Sequence, residues 1–174
     1  MTVHRSHPMT LDAPTLEHVC DLQIFVTAPI EAGHVTGLNS RGKRRIIPIT
    51  GGTLTGSAAN HPTLQGRVLQ GGADFQMVVS DTCADLDARY LIALDGEYAG
   101  EHIFVMNRAL RRGSAQDIAK LVRGEAVDPS RIYFRCAPTF EVSTPKLQWM
   151  LDSLFIGSGA RGTDSVHLSF YRLV

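Results

Sequence analysis

Residues 84–94 read ADLDARYLIAL, then Asp95-Gly96 interrupts, and residues 101–107 continue as EHIFVMN. Asp85, Asp87 and Arg89 share one parity of the first run; Leu86, Ala88, Tyr90, Ile92 and Leu94 share the other. Side chains alternate across a strand, so the run predicts a strand with one polar and one apolar face. Asp-Gly favours a turn, which brings 101–107 back antiparallel to it.

The same period of two extends outward in both directions. Leu22 to Ala28 reads as a strand ended by Pro29, and Arg44 to Thr50 as another, with Pro48 marking an edge or a bulge. Gly51-Gly52 predicts a turn before a weak strand at 53–57. Residues 66–69 and 73–79 form two more, separated by a bend at Gly71-Gly72. Residues 131–142, Phe155-Ile156 and 165–173 complete the set. Ser114 to Arg123 predicts a helix, with Ser114 as cap, Asp117 three residues on and Gly124 past the end; a second short helix fits 145–154. About eight or nine antiparallel strands with one or two short helices predict a mainly β protein, a single closed barrel or a sandwich.

Composition narrows the function classes. The 174 residues predict one domain over 15–174 behind a loose polar tail at 1–14, with roughly 70% of the surface buried on folding. Lys+Arg and Asp+Glu both number 17, so the basic excess expected of a nucleic-acid binder is absent. No apolar run is long enough for a membrane helix, and the first residues lack a signal-peptide core. Cys20, Cys83 and Cys136 are scattered without CxxC spacing, which suits buried thiols in a reducing compartment. A cytoplasmic location is expected, with no nucleic-acid or membrane partner.

Several motifs dissolve on inspection. Gly157 to Gly162 matches GxGxxG, but only twelve residues follow, so no βαβ unit can form, and a loop is expected there. His4 and His7 lie three apart in the tail, and His102 and His167 lie on strands; no spacing makes a metal site of them, and no metal or cofactor is expected. No GxSxG elbow points to a serine hydrolase.

What remains are polar residues on strands. Asp74 and Gln76 share a face opposite Phe75 and Met77, and Tyr133 and Arg135 oppose Ile132, Phe134 and Cys136. Such faces can be a solvated outer wall knitted by cross-strand pairs, or can point into a polar lumen. Trp149, set among Leu147, Met150, Leu151 and Leu154, is expected to plug a barrel end, to line a dimer seam or to meet ligand.

The run from Arg44 to Gly52, then Gly66 to Leu69, Gly71 to Gln76, Leu86 to Tyr90, Asn107-Arg108, Asp128-Pro129, Tyr133 to Arg135, Pro138, Phe140-Glu141, Trp149 and Phe155 to Gly157, resembles the domain-of-unknown-function 3237 family. The resemblance covers about Leu16 to the C-terminus. It implies a compact antiparallel β-barrel similar in shape to allene oxide cyclase and dirigent barrels, paired as a homodimer, and it assigns no activity. It also implies an internal or rim site for Asp74, Gln76, Asp87, Arg89 and Arg135, which recur in the family pattern.

The expected function is therefore a cofactor-independent isomerase, cyclase or lyase acting on a small organic molecule. Asp74 and then Glu141 are the expected acid/base carboxylates, with Tyr90 or Tyr133 as acid partner. Arg89 and Arg135 would hold an anionic group or developing enolate, with Asp87 beside them and Gln76 and Asn107 orienting the substrate. The alternatives are a non-catalytic carrier or sensor with the same barrel, and a structural dimeric module with solvated polar faces.

Overall fold

The computed structural model describes residues 11–174; His4, His7 and most of the expected tail lie outside the described residues. Ten strands make one antiparallel sheet: β1 Leu16–Val26, β2 Ile30–Thr36, β3 Arg41–Gly56, β4 Gln65–Val68, β5 Ala73–Ser80, β6 Cys83–Leu94, β7 His102–Arg112, β8 Tyr133–Val142, β9 Phe155–Arg161 and β10 Ser165–Leu173. Eight of them close a ring in the order β1–β3–β5–β6–β7–β8–β9–β10 and back to β1. A closed ring satisfies every strand's backbone partners and leaves no free edge along it. Of the remaining two, β4 bridges the far ends of β3 and β6, and β2 pairs with the first half of β3.

Strand β3 is one continuous strand where a turn was expected at Gly51-Gly52. Both glycines are extended with positive φ, and a Cβ on Gly52 would stand 2.2 Å from the Gln23 carbonyl oxygen. The pair lets β3 cross tightly under β1 rather than reverse. The glycine-rich motif expected as a loop is likewise strand β9. Gly157 and Gly159 face inward, where a Cβ would meet the Cys136 sulfur at 2.7 Å and the Phe134 ring at 2.8 Å. Strand β2 has no alternating apolar pattern, because it packs only along β3.

The barrel has two unlike ends. At one, the apolar core is sealed by Leu64, Leu147, Met150, Phe155 and Phe170, with Phe140 edge-on to Phe155 at 5.0 Å. The expected second helix is here a single 3-10 segment, Pro145–Met150. It carries Trp149, half-buried and stacked on His61 at 4.6 Å and 8°. Trp149 thus helps plug the closed end. At the other end, helix α1, Ala115–Val122, follows β7. The Ser114 hydroxyl accepts from the Asp117 backbone N–H at 3.1 Å, the cap expected from the sequence, and donates to the Asp117 carboxylate at 2.7 Å, where the reciprocal bond of a capping box would come from the Ser114 backbone N–H. The last turn of α1 lies over the barrel mouth.

Cys20 and Cys136 are buried and Cys83 is partly buried, all three as free thiols; burial pushes the Cys20 thiol up to about 12 and the Cys136 thiol up to about 11. No helix among the described residues is long and apolar enough to cross a membrane.

Candidate functional site

Strand parity sorts the polar residues into two groups. Inward from the open half of the barrel point Arg45 on β3, Asp74 and Gln76 on β5, Asn107 and Arg111 on β7 and Arg161 on β9. Register explains how they meet. Asp74 is opposite Ala88, and Ala88 is opposite Asn107, so the two polar groups share a row across β5, β6 and β7 with only a methyl between them. Arg45 is opposite Gln76 in the next row.

They surround a narrow internal cavity of about 40 Å³. Its wall is mostly apolar, with Ile24, Ile47, Ile49, Leu86, Phe134 and Leu168 among the lining residues, and its polar groups are Asp74, Gln76, Asn107, Arg111 and Arg161. Gln76, Arg111 and Arg161 also line a wider outer mouth under the end of α1, so cavity and mouth adjoin at these side chains.

The hydrogen bonding of the site is incomplete within the protein. Gln76 Nε2 donates to Asp74 Oδ2 at 2.6 Å. Asp74 Oδ1, Gln76 Oε1, Asn107 Oδ1, Arg111 Nε and Arg161 Nη1 are shut off from bulk solvent and have no partner among the described residues. A few such atoms are usual in a whole domain, and each carries a desolvation cost. Five of them converging on one cavity mark a place built for a polar ligand or water.

The electrostatics agree. Burial raises the Asp74 carboxyl above its ordinary range, against the opposing pull of the Gln76 hydrogen bond and the Arg111 charge. Arg111 and Asp74 feel each other's charge, yet no ion pair within 4.0 Å joins them. Burial lowers the Arg111 guanidinium to about 10, with Asp74 opposing and the like charges of Arg161 and Arg45 adding to the fall. The site therefore holds a carboxyl group that takes a proton readily, beside cations that favour an anion. Among the described residues, no group of three or more His, Cys, Asp or Glu is placed to hold a metal ion.

The expected site residues are not all brought together. Asp74, Gln76 and Asn107 converge on the cavity. Asp87, Arg89, Tyr133, Arg135 and Glu141 stand on the outer wall, because each has the parity opposite to its strand's inward residues. There Arg89 pairs with Asp87 at 3.1 Å, and Arg135 lies over the Tyr133 ring at 5.4 Å while donating to the Phe134 carbonyl at 2.9 Å. Tyr90 points inward but deeper than the cavity, fully buried, with burial pushing its phenol well above the ordinary value. Trp149 lies at the opposite end. The arginines that line the cavity or its mouth are instead Arg111, Arg161 and Arg45.

These three arginines had a readable signal. Arg111 continues the inward parity of Ile103, Val105, Asn107 and Ala109, and Arg45 shares the parity of Ile47 and Ile49. Arg161 was hidden by reading β9 as a loop.

Comparison with known proteins places this architecture. Residues 14–173 match the family described as "Protein of unknown function (DUF3237)". The UPF0311 protein RPA1785 of Rhodopseudomonas palustris is 38% identical over 163 residues, covering 92% of this chain and 99% of that protein. Its crystal structure superposes with a TM-score of 0.82 over 95% of this chain and 100% of the other. The UPF0311 protein CA_C3321 of Clostridium acetobutylicum is 37% identical over 157 residues, covering 90% of this chain and 92% of that protein. A more distant likeness, to an enzyme from Penicillium herquei, has a TM-score of 0.63 at 18% identity, over 97% of this chain and 100% of that one, and extends to the fold alone.

Proposed function

Because this chain belongs to the DUF3237 family of proteins of unknown function, its chemistry must come from its own cavity, and we propose that it is a small-molecule-binding barrel that catalyses cofactor-independent proton transfer on an organic substrate, as an isomerase, cyclase or lyase. The observation that carries this reading is the convergence of buried, unpartnered polar atoms around Asp74.

In the reaction, Asp74 Oδ1 removes a proton from a substrate carbon next to a carbonyl. The C–H electron pair moves into the carbonyl, and Arg111 balances the charge that develops on its oxygen. Where the enolate is conjugated with a carbon–carbon double bond, Asp74, now the neutral acid, returns the proton to the far carbon of that double bond, which shifts the double bond and completes an isomerisation. Alternatively, the enolate expels a leaving group or closes a ring, and Asp74 protonates the atom that departs or accepts. The Gln76 hydrogen bond to Oδ2 holds the carboxyl so that Oδ1 faces the substrate. A carboxyl raised by burial is a stronger base than a free one, which suits it to a weakly acidic carbon. Asn107 is positioned to orient the substrate from across Ala88.

A second reading, a carrier or sensor barrel, is supported by the mostly apolar cavity wall. Incubating a small-molecule extract with the protein, and following it by mass spectrometry, separates the two. An enzyme converts a compound to a mass-neutral isomer or to fragments, and Asp74→Asn slows this about a hundredfold or more. A carrier releases every bound compound unchanged.

A further inference from the structure

The outer mouth of the cavity is more cationic than proton transfer at Asp74 requires. Arg45, Arg111, Arg123 and Arg161 line it, against Glu31 and Asp164. Glu31 is already engaged by Arg45 at 3.0 Å and by Lys43 at 3.3 Å. Arg123 has Glu125 as its own partner. Asp164 and Asp74 act on Arg161 through their charge without an ion pair within 4.0 Å, which leaves Arg111 and Arg161, lining both the mouth and the inner cavity, with a buried N–H each that meets no acceptor among the described residues. Among the described residues, the Arg161 side chain makes one hydrogen bond, from Nη2 to the Thr163 carbonyl at 3.4 Å.

Like charges gathered in a partly dehydrated place repel, so the arrangement is costly unless an anion sits among them. Guanidinium N–H groups suit oxyanions, which they can hold with two hydrogen bonds at once. Inside this junction the wall turns apolar, and the cavity is narrow.

We infer that the junction between mouth and cavity is an oxyanion site, centred on Arg161 with Arg111 and Arg45 beside it, and that its ligand is an amphipathic organic anion. The carboxylate or phosphate head of this ligand rests on the arginines, and an apolar end of its body enters the inner cavity while the rest lies in the wider mouth. This rests on the cavity being the ligand site, as proposed above, but not on Asp74 being a base. The head group gives the substrate its orientation: one end is anchored at the mouth, and the portion beyond the head passes Asp74.

Calorimetric titration with octanoate, octyl phosphate and 1-octanol tests it. At least one of the two anions is expected to bind about tenfold or more tighter than 1-octanol, since a hydrogen bond to a charged group is worth that much. Whichever anion binds tighter identifies the head as carboxylate or phosphate, and equal binding identifies a general oxyanion site. Arg161→Gln should weaken both anions about tenfold while leaving 1-octanol unchanged, and Arg161→Lys, which keeps the charge and alters packing less, should fall between. Asp74→Asn should not weaken the anions, because it removes a negative group. Equal affinity of alcohol and anions, no anion binding at all, or full anion affinity in Arg161→Gln with its fold intact by circular dichroism would each overturn the inference. None of these results bears on turnover by Asp74, and loss of the base reading in the Asp74→Asn assay leaves them standing.

Discussion

Gln76 holds Asp74 by a 2.6 Å hydrogen bond between two residues that share the inward face of one strand. The bond occupies one carboxylate oxygen and leaves the other, buried, without a partner among the described residues. The bond alone would lower the carboxyl, yet burial outweighs it and the net shift is upward. Gln76→Leu, which removes the donor and adds apolar surroundings, should raise the Asp74 carboxyl further. The acidic limb of the pH–rate profile should then move to higher pH, and an unmoved limb would show that Gln76 does not act on Asp74.

Stability should depend on pH through the same group. A carboxyl raised on folding binds its proton more tightly in the native state than in the unfolded chain. Its contribution is fully present below the unfolded value of about 3.9 and is lost as pH rises through the higher folded value. Asp74→Asn cannot ionise, so it should be more stable than the natural protein at pH 8, with the gap closing as the pH falls toward 4. Chemical unfolding at several pH values measures this, and a gap that widened on acidification would reverse the assigned direction.

On the outer wall the expectation is the opposite. Arg89→Ala, Arg135→Ala and Glu141→Gln alter groups that face solvent, where ion pairs contribute little. Turnover, ligand affinity and unfolding midpoint should all match the natural protein. A large loss of turnover in any one of them would return that residue to the site.

Trp149→Ala should separate stability from function. The ring is half-buried at the closed end, between His61 and the Arg172 guanidinium, which lies 5.7 Å from its centre. Its loss should cost about 2–4 kcal/mol in urea unfolding, less than a fully buried tryptophan at the upper end of such changes. Octanoate affinity at the far end should not change.

Gly159→Ala places a methyl 2.8 Å from the Phe134 ring, which also walls the cavity. Overpacking of this kind costs about 1–3 kcal/mol. It should also weaken ligand binding as Phe134 shifts inward, which the same titration would register.

The barrel and half of its site were legible because strand alternation is a local property. Residues 84–94 carry their inside and outside in their own order, and Asp74 and Gln76 do the same after the Gly71-Gly72 bend. Parity alone also sends Asp87, Arg89 and Arg135 outward. It was the family pattern that drew them inward, because recurrence does not say which wall a residue stands on. Arg111 was missed because its strand was ended at Asn107, two alternations too early. Arg161 was missed because glycines packed under Phe134 and Cys136 look, in sequence, like glycines in a turn. The pairing of β2 with β3, and the meeting of Arg45, Arg111 and Arg161 from three strands, depend on closure of the ring. No local signal reports closure.

The proposed chemistry has Asp74 move a proton on a substrate bound inside the barrel. Incubating a small-molecule extract with the protein in deuterium oxide tests it most directly, because a proton taken from carbon and exchanged with solvent returns as deuterium. A compound is expected to gain deuterium with the natural protein and not with Asp74→Asn, while that variant still binds octanoate. A compound labelled equally by both proteins would contradict it.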